Sequence, residues 1–237
     1  MDVAALKQQL LDAAATRYRS SGRFAYHFAR GKLSWDPVFT AILALGLIPD
    51  EARILDLGCG QGVLAAWLLA AEQIHATGAW CPDWPPPPAR WRFHGLELKL
   101  RDVDRANRAF GDRAAVEPGD IRSASFGDSD TVIILDVLHY IDRDAQETVL
   151  RRVRAALRTG GSLLLRVGDA AGGLPFWISR WFDQGVLLLQ GRGWVRLHCR
   201  PIPDWIKLLD CVGFRTRAIP MSAATPFANV LLVAHQQ

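Results

Sequence analysis

Two patterns of hydrophobic and polar residues alternate along the chain. Five short apolar runs read "ARILDLG", "RFHGLEL", "AAVEPGD", "DTVIILD" and "GSLLLRVGD". Segments with helical character lie between them, with helices expected at 61–72, 99–110 and 144–158. Strands that alternate with helices are typical of β-α-β units, in which the strands run parallel. The pattern therefore predicts a doubly wound, Rossmann-like α/β core.

The residues before the first run are predicted to be helical. Leu6, Leu10 and Leu11 begin a series of apolar residues near helical spacing within 1–30. The pair Asp36-Pro37 then marks a new helix start, because aspartate caps a helix and proline is tolerated in its first turn. We expect that helix to continue through "VFTAILALGL".

Two segments interrupt this alternation. The stretch "WCPDWPPPPARW" at 80–91 holds four consecutive prolines, which remove amide donors and fix φ, so it is predicted to be a surface loop. The segment 172–200 follows the fifth run and is rich in aromatic and basic residues. Its composition fits a substrate lid, a helix packed on the core, or shallow contact with a membrane.

Composition bounds the architecture and leaves the partner open. With 237 residues, half of them hydrophobic, the chain can bury one substantial core, which predicts a single domain. The formal net charge is +4 and the pI is near 9.1, but the basic residues are scattered. Scattered positive charge permits an anionic partner and identifies none.

The cysteines and the hydropathy predict the compartment. Cys59, Cys81, Cys199 and Cys211 show neither CxxC spacing nor a preceding signal peptide, so we expect reduced thiols and no metal site. No apolar run approaches the roughly 18 residues of a membrane-spanning helix. A cytoplasmic protein is therefore expected, and association with a membrane surface stays open.

The stretch "ILDLGCGQG" carries the strongest chemical signal. It places Gly58, Gly60 and Gly62 at alternate positions between a strand and a helix, where backbone amides and a helix N-terminus can approach a ligand closely. The next strand ends in Glu97, whose carboxylate suits ribose hydroxyls. A tight turn without a ligand explains many single GxG matches, but the acid at the next strand end favours a small-molecule site.

These residues resemble motif I of the class I S-adenosylmethionine-dependent methyltransferases. The resemblance runs from about Asp50 to the C-terminus and includes "EPGDIR", "VIILDVLHYID" and "LRTGGSLLLRVGD". It implies a seven-stranded sheet, mostly parallel with an antiparallel last strand, and S-adenosylmethionine as the cofactor. The cofactor-binding residues that it implies are Asp56, Gly58, Cys59, Gly60, Gly62, Glu97, Leu98, Asp120, Ile121 and Asp136.

The resemblance also implies individual roles. Glu97 would hold the ribose, Asp120 would face the adenine amino group, and Ile121 would pack on the ring. His139 follows the fourth strand beside the expected methyl group, and an unperturbed pKa of roughly 6.5 suits a general base. A packing role for this histidine is equally compatible with its position.

The resemblance implies a layout for the single domain of residues 1–237. It has an N-terminal helical cap at 1–49, a cofactor-binding core at 50–170, a substrate lid at 171–200, and a C-terminal helix and hairpin at 201–237. Six residues are candidates for contact with the substrate, although packing roles are as common for such side chains: Tyr26, His27, Tyr140, Trp177, Trp181 and His198.

The expected acceptor is a small, largely apolar molecule, aromatic or acyl, methylated at oxygen or carbon. An "NPPY"-type tetrapeptide, frequent in base and amide N-methyltransferases, is missing after the fourth strand, so no nucleic acid is expected. The alternatives are a nucleic-acid or protein methyltransferase and a non-catalytic scaffold that binds S-adenosylmethionine. The run "GRFAYHFARGKLSWDPVF" resembles a bacterial subgroup encoded with aryl polyene pigment genes, which implies an acceptor presented on an acyl-carrier protein.

Overall fold

A computed structural model of the chain describes residues 1–171, 197–222 and 228–237. The chain divides into two compact units, Met1–Ala124 and Ser125–Gln237. The single domain expected from the sequence stays a prediction. The predicted lid falls largely on 172–196, outside the described residues.

The first unit begins with three helices, α1 (Val3–Thr16), α2 (Arg23–Trp35) and α3 (Pro37–Ala44). The Asp2 side chain accepts a hydrogen bond from the Ala5 amide at 2.7 Å and so caps α1. Asp36 caps α3 in the same way, through the Val38 amide at 3.1 Å. The helix start expected at Asp36-Pro37 is therefore confirmed.

Three parallel strands follow in the first unit. They are β1 (Arg53–Leu57), β2 (Arg92–Glu97) and β3 (Ala115–Pro118), and β2 pairs with both others. Helix α4 (Val63–Ala76) is apolar on nearly all sides and is mostly buried, whereas α5 (Leu100–Phe110) buries only one face. Both helices lie within a residue or two of their predicted starts, so the β-α-β reading is confirmed.

The second unit contains β4 (Ser129–Leu135), α6 (Arg143–Ala156), β5 (Leu157–Gly168), α7 (Ile202–Val212), β6 (Phe214–Pro220) and β7 (Asn229–Gln236). Strand β5 is parallel to β4 and antiparallel to β7, and β7 is antiparallel to β6. The strand order of the seven-stranded sheet is β3-β2-β1-β4-β5-β7-β6. The predicted fold class, with an antiparallel last strand, is confirmed.

The proline-rich segment 80–91 is a loop, but it is not wholly a surface loop. Cys81, Trp84 and Trp91 are buried, and the Trp80 indole donates to the Pro85 carbonyl oxygen at 3.0 Å. The expectation of an exposed loop was therefore wrong in part, because its tryptophans are large enough to bury apolar area even without regular structure.

Within the described residues, the helices are all too short or too polar to cross a bilayer. The four cysteines are free thiols.

Candidate donor site

The loop that joins β1 to α4 is folded by its own backbone and by β2. The amides of Gly58 and Cys59 donate to the Leu96 carbonyl oxygen at 2.7 and 3.2 Å. The Gly62 amide donates to the Cys59 carbonyl oxygen at 2.9 Å and closes a tight turn. The loop is thereby fixed against the carboxyl end of β2, where ligands of open α/β sheets bind.

Two of the glycines are required for different reasons. Gly62 has φ +72°, and a Cβ atom there would lie 2.5 Å from the Phe110 ring, so packing against α5 excludes a side chain. Gly60 has φ +58°, and a Cβ atom there would meet no protein atom within 4 Å. Gly62 therefore serves the packing of the protein, whereas Gly60 exposes its backbone to open space that a ligand can fill.

Glu97 joins this loop to the residues that follow β2, with one carboxylate oxygen for each. Its Oε2 accepts the Gly60 amide at 2.9 Å and its Oε1 accepts the Lys99 amide at 2.9 Å. The side chain is buried, and each carboxylate oxygen can accept a second hydrogen bond. Glu97 can therefore fix the loop and still bind a ligand hydroxyl, as the sequence predicts for a ribose.

Asp56, at the end of β1, is buried close to Glu97. Burial, followed by the charge of Glu97, raises the pKa of Asp56 from its usual 3.8 to about 8. At neutral pH the carboxyl is thus mostly protonated, which avoids two adjacent negative charges. A cationic group on a ligand would lower this pKa and ionise Asp56 beside it.

The N-terminal helices support the loop from a direction that the sequence does not reveal. The Tyr18 hydroxyl donates to the Gln61 carbonyl oxygen at 2.8 Å, and the Gln61 side-chain amide donates to the Ala25 carbonyl oxygen at 2.8 Å. Tyr18 and Gln61 are both buried. The signal that could have found this support is the large polar side chain of Gln61 between two glycines, because a buried amide needs partners.

The other predicted cofactor residues of the first unit have varied surroundings. Leu98 is exposed and Ile121 is buried. Asp120 pairs with Arg122 at 2.5 Å, and this hydrogen bond lowers the pKa of Asp120. A Cβ atom at Gly95 would lie 2.6 Å from the sulfur of Cys59, so the thiol packs directly on the backbone of β2. Burial raises the pKa of the Cys59 thiol well above its usual value.

In the second unit, Asp136 is engaged by a buried arginine. It follows β4 with φ +60°, and its Oδ1 accepts the Nε of Arg166 at 2.8 Å, with a second contact between Oδ2 and the same guanidinium. The Asp136 amide also donates to the Arg166 carbonyl oxygen at 3.2 Å. Arg166 is 1% exposed. The carboxylate therefore balances a charge inside the unit, a role that the resemblance did not imply.

His139 lies on a 3₁₀ turn, Leu138–Tyr140, three residues beyond Asp136. Burial lowers the pKa of His139 to about 4, with Asp136 opposing and Arg166 adding to this effect. The imidazole is consequently neutral at neutral pH but a weak base. The backbone carbonyl oxygen of His139 accepts a hydrogen bond from the His198 amide at 2.8 Å. The centroid of the His139 ring lies 4.1 Å from that of the Tyr140 ring.

Four of the six candidate substrate residues lie in the described parts of the two units. Tyr26 and His27 lie together in the first unit, with ring centroids 5.1 Å apart. Tyr140 and His198 both lie next to His139 in the second unit. Trp177 and Trp181 lie outside the described residues.

Residues 55–163, which include the glycine loop, Glu97 and His139, match the sequence model of a family described as a methyltransferase domain. Over these residues, 109 of the 237 in the chain, the sequence is similar to a methyltransferase domain. This match agrees with the methyltransferase and the S-adenosylmethionine cofactor expected from the sequence.

A curated relative and two solved structures resemble this chain. Carboxy-S-adenosyl-L-methionine synthase of Chromohalobacter salexigens is 28% identical over 131 residues, which are 51% of this chain and 43% of that protein. An O-methyltransferase family protein from Burkholderia thailandensis has a TM-score of 0.62 at 18% identity, covering 88% of this chain and 57% of the other. Magnesium protoporphyrin IX methyltransferase from Synechocystis PCC 6803, with bound SAH, has a TM-score of 0.59 at 19% identity and full coverage of both chains.

The chain thus spans less than half of the length of the curated relative that it matches. The two structural likenesses show the fold.

Proposed function

We propose that the protein transfers a methyl group from S-adenosylmethionine to a small, largely apolar acceptor, aromatic or acyl, at oxygen or carbon. The observation that carries the proposal is the open space at Gly60, whose amide is held by Glu97 at 2.9 Å. A backbone exposed beside a carboxylate suits a ligand with hydroxyl groups and a charged tail.

The donor supplies an electrophilic methyl group on a sulfonium, so the chain's contribution is alignment and the exclusion of water. Glu97 would accept the ribose hydroxyls while it holds the loop. Asp56 would ionise beside a cationic group of the donor. Leu98, which is 55% exposed, would be covered by the adenine ring, with Ile121 and Asp120 at the ring edge.

For His139 we propose a packing role in preference to that of general base. A base removes protons best when its pKa is near the working pH, and burial lowers the pKa of His139 to about 4. A neutral imidazole next to Tyr140 can still shape the surroundings of the acceptor. An oxygen acceptor that is already acidic, such as a phenol or a carboxyl group, would need no strong base.

The acceptor class rests on the resemblance to methyltransferases of small molecules and to the aryl polyene subgroup. Presentation on an acyl-carrier protein in the cytoplasm is compatible with the net charge of +4, because such carriers are acidic. The alternatives are nucleic acid or protein as acceptor, and a scaffold that binds the donor without turnover.

Titration of the protein with S-adenosylhomocysteine tests the donor site. Gly60→Ala should weaken binding by at least about tenfold, because the methyl group occupies the space beside the backbone. Gly111→Ala is the matched control, since Gly111 has φ +55° and also opens onto free space, outside the loop. Equal binding by the two variants, or no binding by the folded wild type, would contradict the proposal.

Transfer of labelled methyl groups separates the acceptor classes. The protein should label the apolar small-molecule fraction of a bacterial extract, and acceptors tethered to a carrier should appear as alkali-labile label on an acidic protein. Label in nucleic acid, or stable label on protein, would favour the first alternative. Donor binding without labelling of any fraction would favour the scaffold.

A further inference from the structure

Helix α2 presents two different faces. Its buried residues Ala25, Ala29 and Leu33 recur every four positions and pack inside the first unit. Phe24, Phe28 and Trp35 lie on another side, because 3.6 residues per turn place them within an arc of about 40°. They form the aromatic stripe of α2.

The aromatic stripe is unusually exposed. Phe24, Phe28 and Trp35 are 63%, 46% and 77% exposed, and the two phenylalanine rings stack with centroids 6.1 Å apart. Single exposed apolar residues need no explanation, but an aligned set on one helix indicates an interaction surface.

The segment that carries the stripe is basic, although Asp12 and Asp36 at its borders pair with Arg30 and Lys32. Residues 13–35 contain five arginines and lysines and no aspartate or glutamate. Arg19 and Arg23 are exposed near the start of α2, and the Arg105 guanidinium lies 4.6 Å from the centre of the Phe24 ring. Exposed aromatic rings beside arginines are the combination that binds the headgroup region of an anionic bilayer.

The area of the stripe argues against a second protein as its occupant. Three such rings offer roughly 400 Å² at these exposures, since a whole aromatic side chain buries about 150 to 250 Å². A stable protein interface needs about 800 Å² on each side. A bilayer has no such threshold, because a few inserted rings and nearby cations suffice for reversible binding.

We propose that the aromatic stripe of α2 docks the protein on an anionic lipid surface. The same helix supports the glycine loop, because the Ala25 carbonyl oxygen accepts the Gln61 side chain at 2.8 Å. Docking therefore holds the donor loop close to the bilayer. If the protein docks in this way, its acceptor is a molecule taken up from the lipid phase. This consequence rests on the proposed function.

Cosedimentation of the full chain with vesicles tests the docking. Wild-type protein should sediment with vesicles of phosphatidylcholine and phosphatidylglycerol, and less with phosphatidylcholine alone. The variant Phe24→Ser/Phe28→Ser/Trp35→Ser should lose at least about tenfold in partitioning. Arg19→Gln/Arg23→Gln should lose about fivefold per arginine on anionic vesicles only, and added salt should remove the difference.

Leu45→Ser is the matched control, since Leu45 is 49% exposed at the end of α3 and lies outside the stripe. It should sediment like the wild type. Trp35→Ser alone changes the most exposed position and should bind anionic vesicles more weakly than the wild type. This single variant keeps the test valid if the triple variant fails to fold.

Three outcomes of these experiments would overturn the docking, and a fourth concerns a carrier protein. They are the absence of wild-type binding to either vesicle, binding that the stripe variants leave unchanged, and a wild-type dimer in light scattering that the triple variant converts to a monomer. Binding of an acidic carrier protein through the stripe, without vesicle binding, would also overturn it. Titration with S-adenosylhomocysteine in the absence of vesicles reports on the proposed function separately.

Discussion

Glu97 accepts the backbone amide of Gly60 at 2.9 Å and so joins the end of β2 to the turn that follows β1. Because its other oxygen accepts the Lys99 amide, both oxygens are needed as acceptors. Glu97→Gln places an amide group against one of these donors. We expect a loss of about 1 to 3 kcal/mol in the free energy of unfolding and weaker binding of S-adenosylhomocysteine.

Urea unfolding and calorimetric titration of Glu97→Gln would measure both effects. Glu147→Gln, on the exposed surface of α6, removes an ion pair with Arg151 and should cost less than about 1 kcal/mol. Wild-type stability and affinity in Glu97→Gln would show that the carboxylate does not hold the loop.

Gly62→Ala should destabilise the protein, because its Cβ atom would lie 2.5 Å from the Phe110 ring at a φ of +72°. The expected loss is about 2 to 4 kcal/mol, from overpacking together with left-handed strain. Adding Phe110→Leu should recover part of the lost stability, because the smaller side chain leaves room for the new Cβ atom. Thermal unfolding of the single and double variants checks this, and an absence of coupling between the two positions would refute the contact.

The raised pKa of Asp56 predicts a pH dependence of stability. Since the folded carboxyl holds its proton up to about pH 8 and the unfolded one releases it near 3.8, the contribution is fully present below pH 4 and is lost as the pH rises towards 8. Asp56→Asn removes this dependence. Between pH 5 and 8 the wild type should lose up to about 1.4 kcal/mol per pH unit relative to the variant.

Unfolding in urea at several pH values measures that difference directly. Parallel pH profiles for the two proteins would mean that Asp56 is ionised in the folded state.

His139 should show the opposite dependence. Its pKa in the folded state is lowered to about 4 from the usual 6.5, so its contribution to stability is present above pH 6.5 and is lost as the pH falls towards 4. We expect the NMR signals of its imidazole, assigned with His139→Gln, to stay constant from pH 8 to 5. A titration midpoint near 6.5 would contradict the burial of the ring and would favour the base role.

The pair between Asp136 and Arg166 should show strong coupling. Arg166 is 1% exposed, and Asp136→Asn removes the carboxylate that pairs with its guanidinium. We expect the free energy of unfolding to fall by about 3 to 5 kcal/mol. The double variant Asp136→Asn/Arg166→Met should recover much of the loss. As a control, Asp130→Asn affects an exposed pair with Arg158 at 3.2 Å and should cost less than about 1 kcal/mol. Additive effects of the two substitutions at 136 and 166 would exclude the buried pair.

The order of strands and helices was predictable because each element carries its own periodicity. The position of Glu97 at the end of β2 followed from the same pattern, and the structure adds its hydrogen bond to Gly60. The bond from Tyr18 to Gln61 joins positions 43 residues apart, and the sequence shows at most that Gln61 needs partners, not which residues they are. Such contacts depend on tertiary packing, which local patterns do not encode.

Two further features were missed for reasons that can be named. Arg166 stands in the apolar run "GSLLLRVGD", and a cation inside a buried strand requires an acidic partner, which was the available signal for Asp136. The prediction of a surface loop at 80–91 used only its prolines, whereas Trp84 and Trp91 bury part of the loop.

The hydrogen bonds from Tyr18 to the loop and from Gln61 to Ala25 connect the glycine loop to the N-terminal helices. The family match begins at residue 55, yet both partners of the loop lie before it, at positions 18 and 25. If the folded N-terminal helices increase the affinity for a ligand at Gly60, linkage requires that the ligand stabilise these helices by the same factor. We therefore expect a fragment trimmed to the matched residues to retain the motif but to lose the two hydrogen bonds that support its conformation.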